Sequence, residues 1–259
     1  MIVKRVSSKK YASFKARTTT TLHQDTPIFP SRIFCYTPLQ AYAASHTTTV
    51  STYAQFTAAA KGDSKKVIVI SKPISTSAAA VRPGSNTSIV GKDSSVKLTG
   101  FGILVKDVQN VIIRNIAVSK IVESNGDALA VHKGTNVWID HVDVSSDMSH
   151  GKDYYGGLID LTHATDFNKA EDTGKRRVTF HGNYWNNINS RGPSIRFGTA
   201  HFFNNFYNAV SDGINTRLGA QVPVESNVVV GGKKALYSTD AGYAVESRNE
   251  FGGAKNEAL

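Results

Sequence analysis

Two arginines five residues apart flank a proline in Arg191-Gly192-Pro193-Ser194-Ile195-Arg196. A guanidinium is planar, stays charged at ordinary pH and meets a carboxylate with two parallel hydrogen bonds, so the pair suits an acidic ligand. Taken alone, the same two residues also read as structural ion pairs, which are common in folded proteins with no chemistry attached. Asp127 follows Gly126, and Asp160 ends the apolar run Leu158-Ile159. An aspartate after glycine reads first as a turn residue. The eight histidines show no metal-ligand spacing, and the single cysteine, Cys35, excludes an internal disulfide framework and a Cys-cluster zinc site. The sequon Asn86-Thr87-Ser88 is too short a pattern to carry weight.

The elements that must position these residues are short and β-rich. Val67–Ile70, Ser88–Gly91, Val96–Val105 and Asn110–Val118 are apolar runs separated by Gly, Asn, Asp and Lys. Thr52–Ala60 is the one segment with helical spacing, with Tyr53, Phe56 and Ala60 on one face. Asn110–Ile116 is echoed by Asn136–Val142, Val178–Tyr184, His201–Phe206 and Val222–Val228. The polar residue before the second apolar stretch falls at 115, 141, 183, 205 and 227, with intervals of 26, 42, 22 and 22. A strand–turn–strand unit at that period predicts an all-β, single-domain parallel β-helix, because each thin coil can bury its apolar face only against its neighbours. Stacked coils place Asn above Asn, so these asparagines are read as scaffold. The interval of 42 spans the polar stretch Asn168–Lys175, where one echo is missing.

The chain has 259 residues and a net charge of +10. Residues 1–46 hold seven basic residues against Asp25, and three of the seven prolines, so much of the positive charge belongs to this segment. They are expected to be an atypical, disordered leader, and 47–259 the folded domain. The segment lacks the compact apolar core of a secretory signal. The mild charge that remains on the domain argues against nucleic acid and leaves an acidic ligand open. No apolar run has the roughly 18–20 residues of a membrane span.

Three blocks carry a family resemblance. They are Val137-Trp138-Ile139-Asp140-His141 with Ser145-Ser146-Asp147, then Lys152-Asp153-Tyr154-Tyr155-Gly156-Gly157-Leu158-Ile159-Asp160, then Asn187–Gly198 with its Arg-x-Pro-x-x-Arg core. From about residue 47 onward the chain resembles the polysaccharide lyase family of pectate and pectin lyases, in its fungal branch. The resemblance implies a right-handed parallel β-helix that cleaves polygalacturonate by β-elimination, assisted by calcium. It implies that Arg191 abstracts the proton, directly in a neutral form or with a water, that Arg196 binds a substrate carboxylate, and that Asp127 and Asp160 are calcium ligands. His141 is read as a hydrogen-bonding member of the scaffold. It further implies a secreted, monomeric enzyme of polysaccharide degradation.

Two departures qualify these expectations. The family pattern has aspartate where this chain has Gly156, so a third calcium carboxylate is absent and affinity is expected to fall. After Ala164-Thr165-Asp166-Phe167 about one coil is missing, including a segment in which the family carries a substrate-contacting lysine. Closing the gap by restacking would bring Arg191 about one strand spacing, roughly 4.8 Å, nearer the aspartates. Both departures predict weakened activity. Two alternatives therefore stay open, a non-catalytic binder of acidic polysaccharide and a calcium-independent lyase for methyl-esterified pectin.

Overall fold

The computed structural model describes the backbone of residues 2–6, and residues 46–147, 149–151, 153–162, 173–174 and 177–258. Apart from residues 2–6 and His46, the basic leader lies outside the described residues, as does the stretch 163–172 around the missing echo.

The chain winds as a parallel β-helix. Its longest wall stacks Thr47–Val50, Lys66–Ile70, Thr87–Gly91, Gln109–Ser119, Thr135–Ser145, Ile2–Val6, Arg177–His181, Thr199–Phe203, Gln221–Glu225 and Tyr243–Ser247, in that spatial order. A second wall holds Tyr184–Asn186, Phe206–Asn208 and Val228–Val230. A third wall carries the last strand of each coil. It runs as Ile103–Lys106, Leu129–His132 and Ile159–Thr162, and separately as Ser194–Arg196, Asp212–Arg217, Lys234–Thr239 and Lys255–Glu257.

In-register stacking follows from the repeated apolar positions. Ile68, Ile89, Ile113 and Ile139 are successive partners along the long wall, and all are buried. Phe180, Phe202 and Val224 continue the column beyond residues 2–6. Phe180 and Phe202 stack with ring centroids 4.7 Å apart. Burying one such side chain is worth roughly 1.5–3 kcal/mol, so the column supplies much of the driving force. The expected helix forms as Tyr53–Ala60, with the Thr52 hydroxyl accepting from Gln55 N at its start. It buries Phe56 and Ala60 at the first coils.

The asparagine expectation holds in part. Asn183 donates to Asn205, Asn205 to Asn227 and Asn227 to Asn249, at 2.9, 2.9 and 3.0 Å. A separate ladder joins Asn136 to Asn110 and Asn110 to Asn86, at 2.8 Å each. Asn86, Asn110 and Asn136 are left-handed, with φ between 51° and 59°, a conformation asparagine tolerates better than most residues. The first ladder does not extend back to Asn115, whose amide bonds the Gly91 carbonyl instead. At 141 the coil carries a histidine, whose Nδ1 lies 2.8 Å from the buried carboxylate of Asp140.

Restacking across the gap does not occur in the long wall. Thr135–Ser145 and Arg177–His181 do not pair with each other, because Ile2–Val6 lies between them, parallel to both. Val3 is the register partner of Ile139 on one side and Phe180 on the other. Two sheet edges in the middle of a solenoid present unpaired N–H and C=O groups, and an inserted strand satisfies both. Arg191 is therefore not brought a strand spacing closer by direct pairing. On the third wall, Ile159–Thr162 and Ser194–Arg196 share no ladder among the described residues.

Candidate active site

Asp127 ends a tight turn, Glu123–Asn125 followed by Gly126 at φ 91°. Asn125 pins this turn by donating its amide to Ser77 Oγ at 2.9 Å and to the Gly100 carbonyl at 3.1 Å. Asp127 Oδ1 accepts from Gly157 N at 2.5 Å, which ties the turn to the next coil. Asp160 sits in Ile159–Thr162, and its Oδ2 lies 3.2 Å from His132 Nε2. Both aspartates are half-buried. Burial, followed by the nearby charge of Asp160, pushes the Asp127 carboxyl above the ordinary carboxylate range; the Gly157 hydrogen bond and His132 oppose the rise.

Two carboxylates that repel each other in a half-buried place form a hard-oxygen pair that a divalent cation would relieve. Asp127 and Asp160 therefore fit a calcium ion in oxygen type and charge. Gly156 does not add to them. A Cβ there would stand 2.0 Å from the Gly126 carbonyl oxygen and 3.2 Å from Asp127 Oδ1. The backbone has closed on the position where the resemblance expects an aspartate. Among the described residues no group of three or more His, Cys, Asp or Glu side chains is arranged to hold a metal. G156D is thus expected to strain the fold and lower stability by about 1–3 kcal/mol, without a tighter calcium site. Thermal unfolding and calcium calorimetry of the variant check this.

The raised Asp127 carboxyl sets a pH dependence. Below the unfolded carboxylate pKa both states are protonated and no penalty arises. As pH climbs through the folded pKa, ionising this group costs stability unless a cation is bound. Calcium competes with the proton over that window, so its affinity is expected to rise as pH climbs above the ordinary carboxylate range and then to level off once Asp127 is ionised. Isothermal titration at stepped pH tests this, with D127N, which lacks that step, as comparison.

Arg191 and Arg196 lie on the third wall beyond the break. Arg191 is exposed and left-handed at φ 56°, and Gly192–Pro193 is a cis bond. The Arg191 backbone N donates to Asp212 Oδ2 at 3.1 Å. Arg196 ends the strand Ser194–Arg196 and is half-buried. Its register partner is Arg217, whose Nη2 is 2.9 Å from Asp240 Oδ2. Asp160 lies in the sheet of Ile103–Lys106, Leu129–His132 and Ile159–Thr162, with Asp127 two residues before its middle strand, and Arg196 lies in the separate sheet that starts at Ser194–Arg196, with Arg191 three residues before that strand.

The sequence reading did not single out His132, Asp212 or Arg217. Asp212 and Arg217 each follow an assigned arginine by 21 residues, which is one coil. That offset is one residue short of the 22-residue interval of the later coils. His132 had no such signal, because its meeting with Asp160 depends on the register of Leu129–His132 against Ile159–Thr162.

A protein-family model described as "Pectate lyase" matches residues 37–167 and 144–250. Among curated proteins, the chain is 59% identical over 229 residues to a probable pectate lyase A of Neosartorya fischeri, covering 80% of this chain and 71% of that protein. It is 55% identical over 232 residues to pectate lyase A of Emericella nidulans, covering 81% and 71%. Among solved structures, a pectate lyase from Bacillus sp. N165 in complex with trigalacturonate superposes with a TM-score of 0.72 at 26% identity, covering 83% of this chain and 84% of that one.

Proposed function

The chain belongs to the pectate lyase family, and from that premise we propose that it cleaves polygalacturonate by β-elimination outside the cell, as a monomer assisted by calcium. In this reading Arg191 takes the proton, Arg196 grips a substrate carboxylate, and Asp127 and Asp160 hold the ion. The observation that supports it is the neighbouring half-buried carboxylates of Asp127 and Asp160, close enough for the charge of one to raise the other, in a solenoid whose later coils carry Arg191 and Arg196.

In the reaction a C–H bond beside a uronate carboxylate breaks and its electron pair stays on that carbon. As that pair closes a C=C bond, the neighbouring C–O bond breaks, and the glycosidic oxygen leaves with the C–O pair and takes a proton from water. The substrate carboxylate's own charge opposes the first event. Bound calcium supplies positive charge against that carboxylate. Arg196 adds its planar fork to a uronate, and the half-buried strand around it limits the guanidinium's freedom. Arg191, exposed and fixed at its backbone, takes the proton either through a neutral guanidine or through a water that it orients. Asp160 is tied to His132, and Asp127 to Gly157 N, so the carboxylates are oriented before any ion arrives.

The test is the absorbance of the unsaturated product with polygalacturonate, with calcium and then with excess chelator. Product that appears with calcium and disappears with chelator supports the reading. Product unaffected by chelator overturns the calcium role and favours a lyase acting on methyl-esterified pectin. The closed backbone at Gly156 favours a second reading, a binder of acidic polysaccharide. Salt-sensitive polygalacturonate binding without product would identify it.

A further inference from the structure

We infer that Asp212 is the positioning residue of Arg191, acting through the arginine's backbone rather than its guanidinium. The inference rests on the reading of Arg191 given above. Arg191 adopts a left-handed backbone, as Lys120, Lys133 and Arg248 do elsewhere in the solenoid, and at residue 191 a partner on the next coil holds it there. Asp212, one coil on, supplies that partner three times over. Its Oδ2 accepts from Arg191 N at 3.1 Å and from the Ser190 hydroxyl at 3.4 Å, and its main-chain oxygen accepts from Gly192 N at 2.9 Å. Residues 190–192 are thus bound to one aspartate on the adjacent coil.

Asp212 is itself fixed from the far side. Its Oδ1 accepts from the Tyr237 hydroxyl at 2.5 Å, one coil further along. Burial and that bond push the Tyr237 hydroxyl up to about 12, so it remains a proton donor throughout the working range. The Lys234 ammonium lies 4.9 Å above the Tyr237 ring and holds it from another side. Tyrosine, aspartate and the arginine backbone form a relay across three coils that sets where the guanidinium starts.

The experiment compares D212A, D212N and Y237F with the parent. A misplacement of about 1 Å can cost about 100-fold in rate, so D212A is expected to lower kcat by about 10- to 100-fold with KM within about twofold. D212N keeps an oxygen for Arg191 N and is expected to recover most of kcat. Y237F is expected to lower kcat by about two- to fivefold, and it carries the test if D212A does not fold. D212A should also speed hydrogen exchange at the Arg191 amide by at least about 10-fold, a readout that does not depend on turnover. Unchanged kcat and unchanged amide exchange in D212A would overturn the inference, as would D212N behaving like D212A. Adding D212A to R191K should cost nothing more. Parental activity in R191K would instead show that the reading of Arg191 had failed, whatever Asp212 does.

Discussion

R191K is expected to lower kcat on polygalacturonate by about 1,000-fold, with KM changed by less than about threefold. Removing a positioned proton acceptor typically costs about 100- to 10,000-fold. Lysine keeps a positive charge but replaces a planar, extended guanidine with a shorter point charge, so the acceptor atom is lost from its place. The backbone bond from residue 191 to Asp212 survives the change, and the side chain is exposed, so the fold should not be disturbed. R196K provides the contrast. If Arg196 grips a carboxylate already in the ground state, its loss should appear mainly in KM. Steady-state kinetics on the two variants, read as a kcat-against-KM split, decides between these roles. Full activity in R191K would remove Arg191 from the chemistry.

Deleting residues 1–6 is expected to be the largest stability effect outside the core. Ile2–Val6 pairs at four register positions with Thr135–Ser145 and at three with Arg177–His181. Removing it opens two edges in the middle of the long wall. At about 1 kcal/mol net per backbone hydrogen bond, the loss is on the order of 5 kcal/mol. For a domain of this size that corresponds to roughly 10–20 °C in Tm. The freed edges should also recruit other chains. Thermal unfolding followed by circular dichroism, together with size-exclusion chromatography, checks both parts. A truncated chain with parental Tm that remains a monomer would show that the inserted strand contributes nothing.

Much of the architecture was legible because a solenoid repeats its instructions. The asparagines at 183, 205 and 227 marked the coil turns, and they form the ladder that the period implied. Ile68, Ile89, Ile113 and Ile139 marked the core column in the same way. The filling of the gap was not legible. Ile2–Val6 is a five-residue run inside a basic, serine-rich segment, and its partners lie more than a hundred residues away. Nothing local announces such a pairing. The same limit applies at Gly156. Its sequence shows a missing carboxylate, but only the approach of the Gly126 carbonyl from another coil shows that a side chain no longer fits. The roles of Arg191, Arg196, Asp127 and Asp160 came from motif resemblance, and Asp212 would have followed from reading that motif one coil further.

The bridging strand at the amino end acts as a spine. Among the described residues, the two halves of the third wall are not laced to each other, whereas the long wall runs unbroken through residues 2–6. The spacing between the blocks that carry the carboxylates and the arginines is therefore set through the long wall. A change in that short strand, far from any sugar, should tilt one block against the other and mistune the site without touching any of its residues.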